Sequence, residues 1–89
     1  MRRPEFTAAF KRDFRRMERR GRDAAKLHSV LDRLLRGEPH DPRHRDHKLK
    51  GKWTGSRECH IEPDWPLIYR IEGEVLYLER TGTHQDLFE

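Results

Sequence analysis

The sequence predicts one α+β domain, over residues 1–89, in which an N-terminal helix hairpin packs on a small, mainly antiparallel sheet. Three observations favour this class. The first 36 residues carry two apolar stripes at helical spacing, a loop with two prolines follows, and short alternating segments occupy the part from Trp53 onward. Although 40% of the residues are charged, the apolar ones keep their periodicity, which favours a folded domain over disorder.

The first helix is predicted over about 8–20, with Thr7 as its N-cap. The short stretch from Arg2 to Phe6 before it suits an edge strand. The apolar stripe of the helix has spacings of four and three residues and consists of Phe10, Phe14 and Met17. Most of the remaining circumference is arginine or lysine, and Gly21 ends the helix.

The second helix is predicted from its N-cap, Asp23, to about Arg36, and Gly37 suits the left-handed position that follows a helix. Its apolar stripe consists of Leu27, Val30, Leu31, Leu34 and Leu35. Because the connection between the two helices is short, they are expected to form an antiparallel hairpin with one shared apolar face.

Residues 38–52 are predicted to be a loop, because two prolines and the lack of periodicity argue against a regular element. So long a loop in a small domain often carries function. Three antiparallel strands are predicted after it, at about 53–62, 67–72 and 75–80, with Gly73 in the turn between the last two. Their imperfect alternation predicts a bulge or partial burial of both faces.

The charge is distributed unevenly along the chain. Residues 1–36 hold 12 Lys or Arg against 5 Asp or Glu, residues 37–52 hold 5 against 3, and residues 53–89 hold 3 against 8. This polarity suits a helical half that approaches nucleic acid, and a solvated Arg-rich helix surface would show it as well.

A single cysteine, Cys59, allows no internal disulfide. No apolar run is long enough for a signal peptide or a membrane span. The expectation is a soluble cytoplasmic protein that does not engage a membrane.

A histidine and an aspartate flank the predicted end of the first strand of the meander. The alternation places Cys59 and Ile61 on one face and His60 on the other. Pro63 ends the pairing, and the turn after it would bring the carboxylate of Asp64 close to the imidazole. The face that carries His60 is expected to be the one left open by the helices.

Three ordered motifs in the second half of the chain match a known family. They are Asp46-His47-Lys-Leu-Lys-Gly-Lys-Trp53, then His60-Ile-Glu-Pro-Asp64-Trp65 with Leu67-Ile-Tyr-Arg, and Glu79-Arg80-Thr-Gly-Thr-His84 ending in Leu87-Phe88. With them the chain resembles the YafQ branch of the RelE/ParE toxin superfamily. The resemblance implies a β-α-α-β-β-β fold and a type II toxin–antitoxin role. It also implies ribosome-dependent cleavage of messenger RNA in the A site.

By position, the resemblance implies a catalytic set and a group of residues that contact the substrate. The catalytic set is His47, His60, Asp64 and His84, and the substrate contacts are Trp65, Arg80 and Phe88. The partners implied are a cognate antitoxin with a ribbon-helix-helix DNA-binding domain, the 70S ribosome and mRNA. Acidic side chains of the antitoxin would pair with the Arg-rich helices.

The residue types suit metal-independent RNA transesterification, and no cofactor is expected. The reaction needs a base for the 2′-hydroxyl and an acid for the departing 5′-oxygen, and histidine can serve as either. Asp64 would orient an imidazole and Arg80 would hold phosphate oxygens bidentately. Trp65 or Phe88 would stack on a base. Taken singly, each residue type is more often a surface or packing residue, so their joint arrangement on one face carries the prediction.

Three alternatives stand beside this prediction. A metal site could use His40, Asp41, His44, Asp46 and His47, but these lie in a proline-broken loop without the spacing of a helical metal motif. A ParE-like inhibitor of DNA gyrase would share the fold and lack the His/Asp set. A plain RNA-binding module would bind RNA without cutting it.

Overall fold

A computed structural model describes all of residues 1–89 and confirms the α+β prediction. The elements in chain order are β1 (Arg3–Phe6), α1 (Ala8–Arg19), α2 (Ala24–Arg36), β2 (His47–Lys48), β3 (Arg57–Glu62), β4 (Trp65–Glu72), β5 (Val75–Thr81) and α3 (His84–Phe88). Two single 3₁₀ turns, at Pro42–His44 and Gly51–Trp53, flank β2. No helix is long and apolar enough to cross a membrane.

The ends of the two long helices follow their sequence signals. The Thr7 hydroxyl accepts a hydrogen bond from the backbone N–H of Phe10 at 3.0 Å, and the Asp23 carboxylate accepts one from Ala25 at 2.9 Å. Gly37 follows α2 with a φ of 72°, a left-handed conformation that a side chain would strain. The predicted helix hairpin and its caps are therefore confirmed.

The five strands form one sheet in the order β1-β5-β4-β3-β2. Strand β1 pairs with β5 in parallel at one edge, and the other pairs are antiparallel. The register shifts between His60 and Glu62, and again between Ile68 and Tyr69, so the bulge prediction is confirmed. The second shift changes which side of the sheet the end of β5 presents.

One face of the sheet packs against the two long helices. Their shared core contains Phe10, Met17, Leu27, Val30, Leu34, Cys59, Ile61, Trp65, Leu67, Tyr69, Leu76 and Leu78. Cys59 and Ile61 thus face the helices, as the alternation predicted. Their neighbours Glu58 and His60 are left on the opposite face.

The prediction of an irregular loop over 38–52 was wrong in part. Strand β2 lies in it and pairs with β3, with His47 opposite Glu58 and Lys48 opposite Arg57. A two-residue strand is too short to produce a periodic pattern, so the sequence carries no sign of it. Strand β3 also begins at Arg57 instead of about 53, because a 3₁₀ turn and Gly55 at φ 97° come first.

The C-terminal tail forms the short helix α3. Thr83 and Asp86 make a reciprocal capping box at its start. Asp86 also accepts a hydrogen bond from Arg20 at 2.7 Å, and Leu87 is buried. These contacts hold His84, the first residue of α3, beside the end of β5.

Candidate active site

The centre of the candidate site is Glu58, a buried carboxylate on the open face of the sheet. Its side chain is 3% exposed. One oxygen, Oε1, lies 3.3 Å from Nε2 of His47 and 3.5 Å from Nε2 of His60, while Oε2 has no hydrogen-bond partner. Burying a carboxylate is costly unless positive charge or hydrogen bonds compensate it, and these two imidazoles are the side chains in reach of its Oε1.

His47 has an acceptor on each side of its ring. Nδ1 lies 2.8 Å from the carbonyl oxygen of Arg45, and Nε2 faces Glu58. Both neighbours are hydrogen-bond acceptors, so the ring lies between the backbone of the preceding segment and the carboxylate. Arg45 has a φ of 47°, a left-handed conformation that is rare outside glycine. The strained backbone at Arg45 thus presents a carbonyl to His47.

His60 lies within the same group, with 13% of its side chain exposed. Its ring stacks on that of His47, with centroids 6.3 Å apart and planes at 24°. Nδ1 is buried without a hydrogen-bond partner. The carbonyl of His60 accepts a hydrogen bond from Nδ1 of His44 at 2.6 Å, which ties the strand to the preceding loop.

An open cavity of about 270 Å³ borders His60, and Arg43, Arg45 and Pro63 complete its lining. The two arginines give this cavity positive charge. An unsatisfied imidazole nitrogen beside a cationic cavity suits a phosphate ester with a transferable proton.

His84 approaches the same carboxylate from α3. The ligating atoms of Glu58, His60 and His84 all lie within 4.8 Å of one another. The His84 ring also packs on Phe88, with centroids 4.8 Å apart. The fold therefore brings the three predicted histidines around one carboxylate, an arrangement that can accept a proton at one point and donate one at another.

Asp64 occupies a different place from the one expected. Its Oδ1 is 3.4 Å from the backbone N–H of His84 and forms no hydrogen bond with an imidazole. The carboxylate next to the rings is that of Glu58, and a catalytic role for Asp64 stays a prediction. Glutamate is rarely buried, so the alternation of β3 alone gave no reason to expect a buried carboxylate at Glu58.

Trp65 is a core residue and not an exposed stacking platform. Its side chain is completely buried, and its Nε1–H donates a hydrogen bond to Oγ1 of Thr81 at 2.9 Å. Thr81 in turn donates to the carbonyl of Pro66 at 3.0 Å. The prediction that Trp65 stacks on a base is corrected by this burial, because the indole holds together the ends of β4 and β5.

We expect Trp65→Phe to lower the free energy of unfolding by about 1–3 kcal/mol, since it removes a buried hydrogen bond and part of a packed ring. Urea unfolding followed by circular dichroism measures the loss. Phe88→Leu, on the half-buried face of α3, serves as the comparison. An unchanged unfolding midpoint for Trp65→Phe would argue against the packing role.

Arg80 uses its bidentate edge within the protein. Nε and Nη2 donate to the carboxylate of Asp13 at 2.6 and 3.1 Å, and Asp13 is itself buried. This hydrogen bond raises the pKa of Arg80. Asp13 thus occupies the Nε/Nη2 edge of the guanidinium, and a grip on phosphate through the remaining N–H groups stays a prediction. Base stacking by Phe88 stays a prediction as well.

Asp46 is the best-connected carboxylate near the site. Arg57 Nε donates to its Oδ1 at 2.7 Å, the hydroxyl of Tyr69 donates to Oδ2, and Nε2 of His40 lies 3.3 Å from Oδ2. Desolvation raises the pKa of Asp46, but the nearby His40 ring and the hydrogen bonds from Tyr69 and Arg57 outweigh it and lower the pKa to about 2.

This depressed pKa predicts an acid-labile contribution to stability. The contribution is complete above the ordinary Asp value of 3.8 and is lost as pH falls through about 2, because the unfolded state then binds more protons. We expect Asp46→Asn to reduce the dependence of unfolding free energy on pH between these values. Urea unfolding at a series of pH values tests this, and an unchanged slope would contradict it.

Two groups of side chains have the geometry to hold a metal ion. One is Glu58, His60 and His84, and the other is His40, Asp46 and Cys59. The loop set considered from sequence does not form one site. Asp41 instead caps a 3₁₀ turn by accepting a hydrogen bond from Arg43, and His47 faces Glu58.

Comparison with known proteins identifies the family. The family model for YafQ, a bacterial toxin of type II toxin–antitoxin systems, matches residues 2–89. The mRNA interferase toxin YafQ of Escherichia coli is 38% identical over 85 residues, which cover 94% of this chain and 92% of that protein. The crystal structure of the Escherichia coli DinJ–YafQ complex superposes with a TM-score of 0.92 at 37% identity, covering both chains completely.

A copper-bound mutant toxin from Helicobacter pylori is similar to the same extent, with a TM-score of 0.94, 41% identity, and coverage of 99% of this chain and all of that one. These similarities extend over the whole domain and include the sheet that carries the candidate site. The chain belongs to the YafQ family of type II toxin–antitoxin toxins.

Proposed function

We propose that this toxin is an mRNA interferase, an endoribonuclease that cleaves messenger RNA in the ribosomal A site and so inhibits translation. The observation that carries the proposal is the buried carboxylate of Glu58 between two imidazoles, with a third nearby. A purely structural strand surface has no need of such a group, since burying it is costly. A relative of 38% identity named an mRNA interferase agrees with this.

The cleavage proceeds by attack of the substrate's own 2′-oxygen on the adjacent phosphorus. The new bond joins the 2′-oxygen to phosphorus, and the bond between phosphorus and the 5′-oxygen breaks. One imidazole takes the 2′-proton and another gives a proton to the 5′-oxygen, so the products are a 2′,3′-cyclic phosphate and a 5′-hydroxyl. The set His47, His60 and His84 supplies these proton-transfer groups, and no metal-bound water is required.

Glu58 contributes by stabilising positive charge on the imidazoles. The histidine that accepts the 2′-proton becomes an imidazolium. The histidine that acts as the acid is an imidazolium until it gives its proton to the 5′-oxygen. The carboxylate lies 3.3 Å from one such ring and 3.5 Å from the other.

Positive charge around the site suits an RNA backbone. Arg43 and Arg45 line the cavity beside His60, and Lys48, Lys50 and Lys52 lie on the adjoining segment. Lys/Arg side chains bind phosphates without reading bases. Such contacts would hold mRNA and ribosomal RNA near the histidines.

Inducible expression followed by mapping of new 5′ ends on cellular mRNA tests the function. Cuts within translated codons, in frame, are the expected result, since A-site cleavage follows the reading frame. Intact mRNA with halted replication would instead indicate a gyrase inhibitor. Bound but uncut RNA would indicate a plain binding module.

Besides the ribosome and mRNA, the partner proposed for this toxin is a cognate antitoxin. It would have a ribbon-helix-helix DNA-binding domain and an acidic C-terminal segment. The DinJ–YafQ complex is the precedent in a similar protein. An apolar groove of about 340 Å³ between the two long helices suits that segment. It is lined by Phe6, Phe10, Phe14, Leu27 and Leu31, with Lys11, Arg15 and His28 at its rim.

We expect the affinity of toxin for antitoxin to fall with added salt and to level off above zero. The salt-sensitive part comes from pairs between acidic antitoxin residues and rim cations, and the rest from apolar burial. Titration calorimetry at several salt concentrations measures this affinity. Arg15→Gln should reduce its salt dependence, and Arg36→Gln, away from the groove, is the control. A Kd that does not change with salt would contradict the electrostatic part.

Copper bound to the Helicobacter pylori toxin raises the question of metal at this site. Glu58, His60 and His84 could take Cu²⁺ through imidazole nitrogens and a carboxylate, the ligand types that copper accepts. A bound ion would occupy nitrogens that the proposed reaction needs for proton transfer. Copper would then inhibit cleavage, and the proposed mechanism runs without it.

A further inference from the structure

The side chains of Asp46 and His47 reach opposite faces of the sheet. Asp46 contacts Arg57 and Tyr69, which are paired in register on the side of the helices. His47 contacts Glu58 on the open side. Neighbouring residues of an extended chain alternate in this way. A fixed position for one side chain therefore fixes the direction of the other.

Apart from the hydrogen bond between His44 and the carbonyl of His60, the segment before β2 has few other means of holding its position. Strand β2 consists of two residues, so its ladder is short. Arg45 just before it has a strained left-handed backbone, and such conformations persist only when the surroundings enforce them. The carbonyl of that same residue accepts the hydrogen bond of His47 Nδ1.

Asp46 supplies the missing constraint. Its carboxylate is 17% exposed and meets three side chains from three other parts of the chain: His40, Arg57 and Tyr69. The His40 side chain is 7% exposed, and neither ring nitrogen has a well-aligned hydrogen bond, although Nε2 lies 3.3 Å from the carboxylate. Arg57 and Tyr69 are thus the partners that anchor Asp46 to the sheet.

We propose that Asp46 is a positioning residue for the proposed cleavage, which holds the His47 ring against Glu58 by anchoring the strained Arg45–His47 segment to Arg57 and Tyr69. This inference rests on the proposed function for its effect on rate. Its effect on the His47 ring does not depend on that function. Asp46 itself has no contact with the side chains of His60 and His84 on the open face.

The first test is made on the free toxin and requires no cleavage. Two-bond ¹H–¹⁵N spectra of the imidazoles report the protonation and hydrogen bonding of each ring nitrogen. Asp46→Asn is expected to shift the Nδ1 and Nε2 resonances of His47 and to leave those of His28 unchanged. Unchanged His47 resonances would overturn the proposal, whatever the cleavage activity.

The second test is a double-mutant cycle in ribosome-dependent cleavage. Asp46→Asn should lower kcat by about tenfold to a hundredfold, as misplacement of a reacting group does, with KM little altered. In a His47→Gln background the same change should alter kcat by less than about twofold. An equal loss in both backgrounds would show that Asp46 does not act through His47.

Two further variants separate positioning from folding. Tyr69→Phe removes one hydroxyl of the anchor and should produce a smaller change in the same direction. Asp32→Asn removes a surface carboxylate paired with Arg36 and should change neither spectra nor kcat. If wild-type toxin cuts no RNA but the His47 resonances shift in Asp46→Asn, the proposed function fails and the positioning contact stands.

Discussion

Replacing the 2′-hydroxyl at the cut site with hydrogen should abolish cleavage completely. The proposed nucleophile is that oxygen. A 2′-deoxy nucleotide lacks it and a 2′-O-methyl nucleotide has it blocked, so neither offers a free 2′-hydroxyl for the attack. The chain offers histidines for proton transfer, and Glu58 is the only carboxylate grouped with His60 and His84. A metal-activated water would not need the 2′-oxygen and would still cut the modified strand.

The modified mRNA is tested in programmed ribosomes, with an unmodified copy of the same sequence as the control. Ribosomes themselves need Mg²⁺, so chelation cannot tell whether the toxin uses a metal ion. The modified substrate can, because it lacks only the proposed nucleophile. End analysis of the unmodified product should show a 2′,3′-cyclic phosphate and a 5′-hydroxyl. Efficient cutting of the 2′-deoxy substrate, or a 5′-phosphate product, would contradict the mechanism.

The fold could be predicted because its determinants are local. The caps at Thr7 and Asp23, the left-handed Gly37 and the two helical stripes act within a few residues of themselves. The alternation of β3 also placed His60 correctly, away from Cys59. Strand β2 escaped prediction because two residues pair only through tertiary contact.

The site was predicted less completely because its interactions join distant residues. Glu58 interacts with His47 of the two-residue strand β2, and no spacing in the sequence encodes that pairing. Trp65 lies in the same motif as the histidine, yet it faces the helices, since the register shifts within the turn of the hairpin. Arg80 likewise meets Asp13, which lies 67 residues away in the chain.

His60→Gln should lower kcat by about 10²- to 10⁴-fold, the range that a general acid or base supplies. His60 is the ring that links the group, because it contacts Glu58, stacks on His47 and lies near His84. Its Nδ1 is buried without a hydrogen-bond partner, so no other group of the protein engages that nitrogen. Glutamine keeps a similar volume and a polar end but cannot transfer a proton near neutral pH.

Because Nδ1 bonds to nothing, His60→Gln should change the unfolding midpoint little, and the loss of activity would be chemical. His28→Gln, on α2 beside Phe14, is the matched control and should keep wild-type kcat. Asp64→Asn should cost no more than a few-fold, since its carboxylate reaches only the His84 backbone. Single-turnover cleavage on programmed ribosomes measures all three. If His60→Gln keeps more than about a tenth of kcat, or Asp64→Asn loses as much as His60→Gln, the roles assigned to Glu58 and its histidines are wrong.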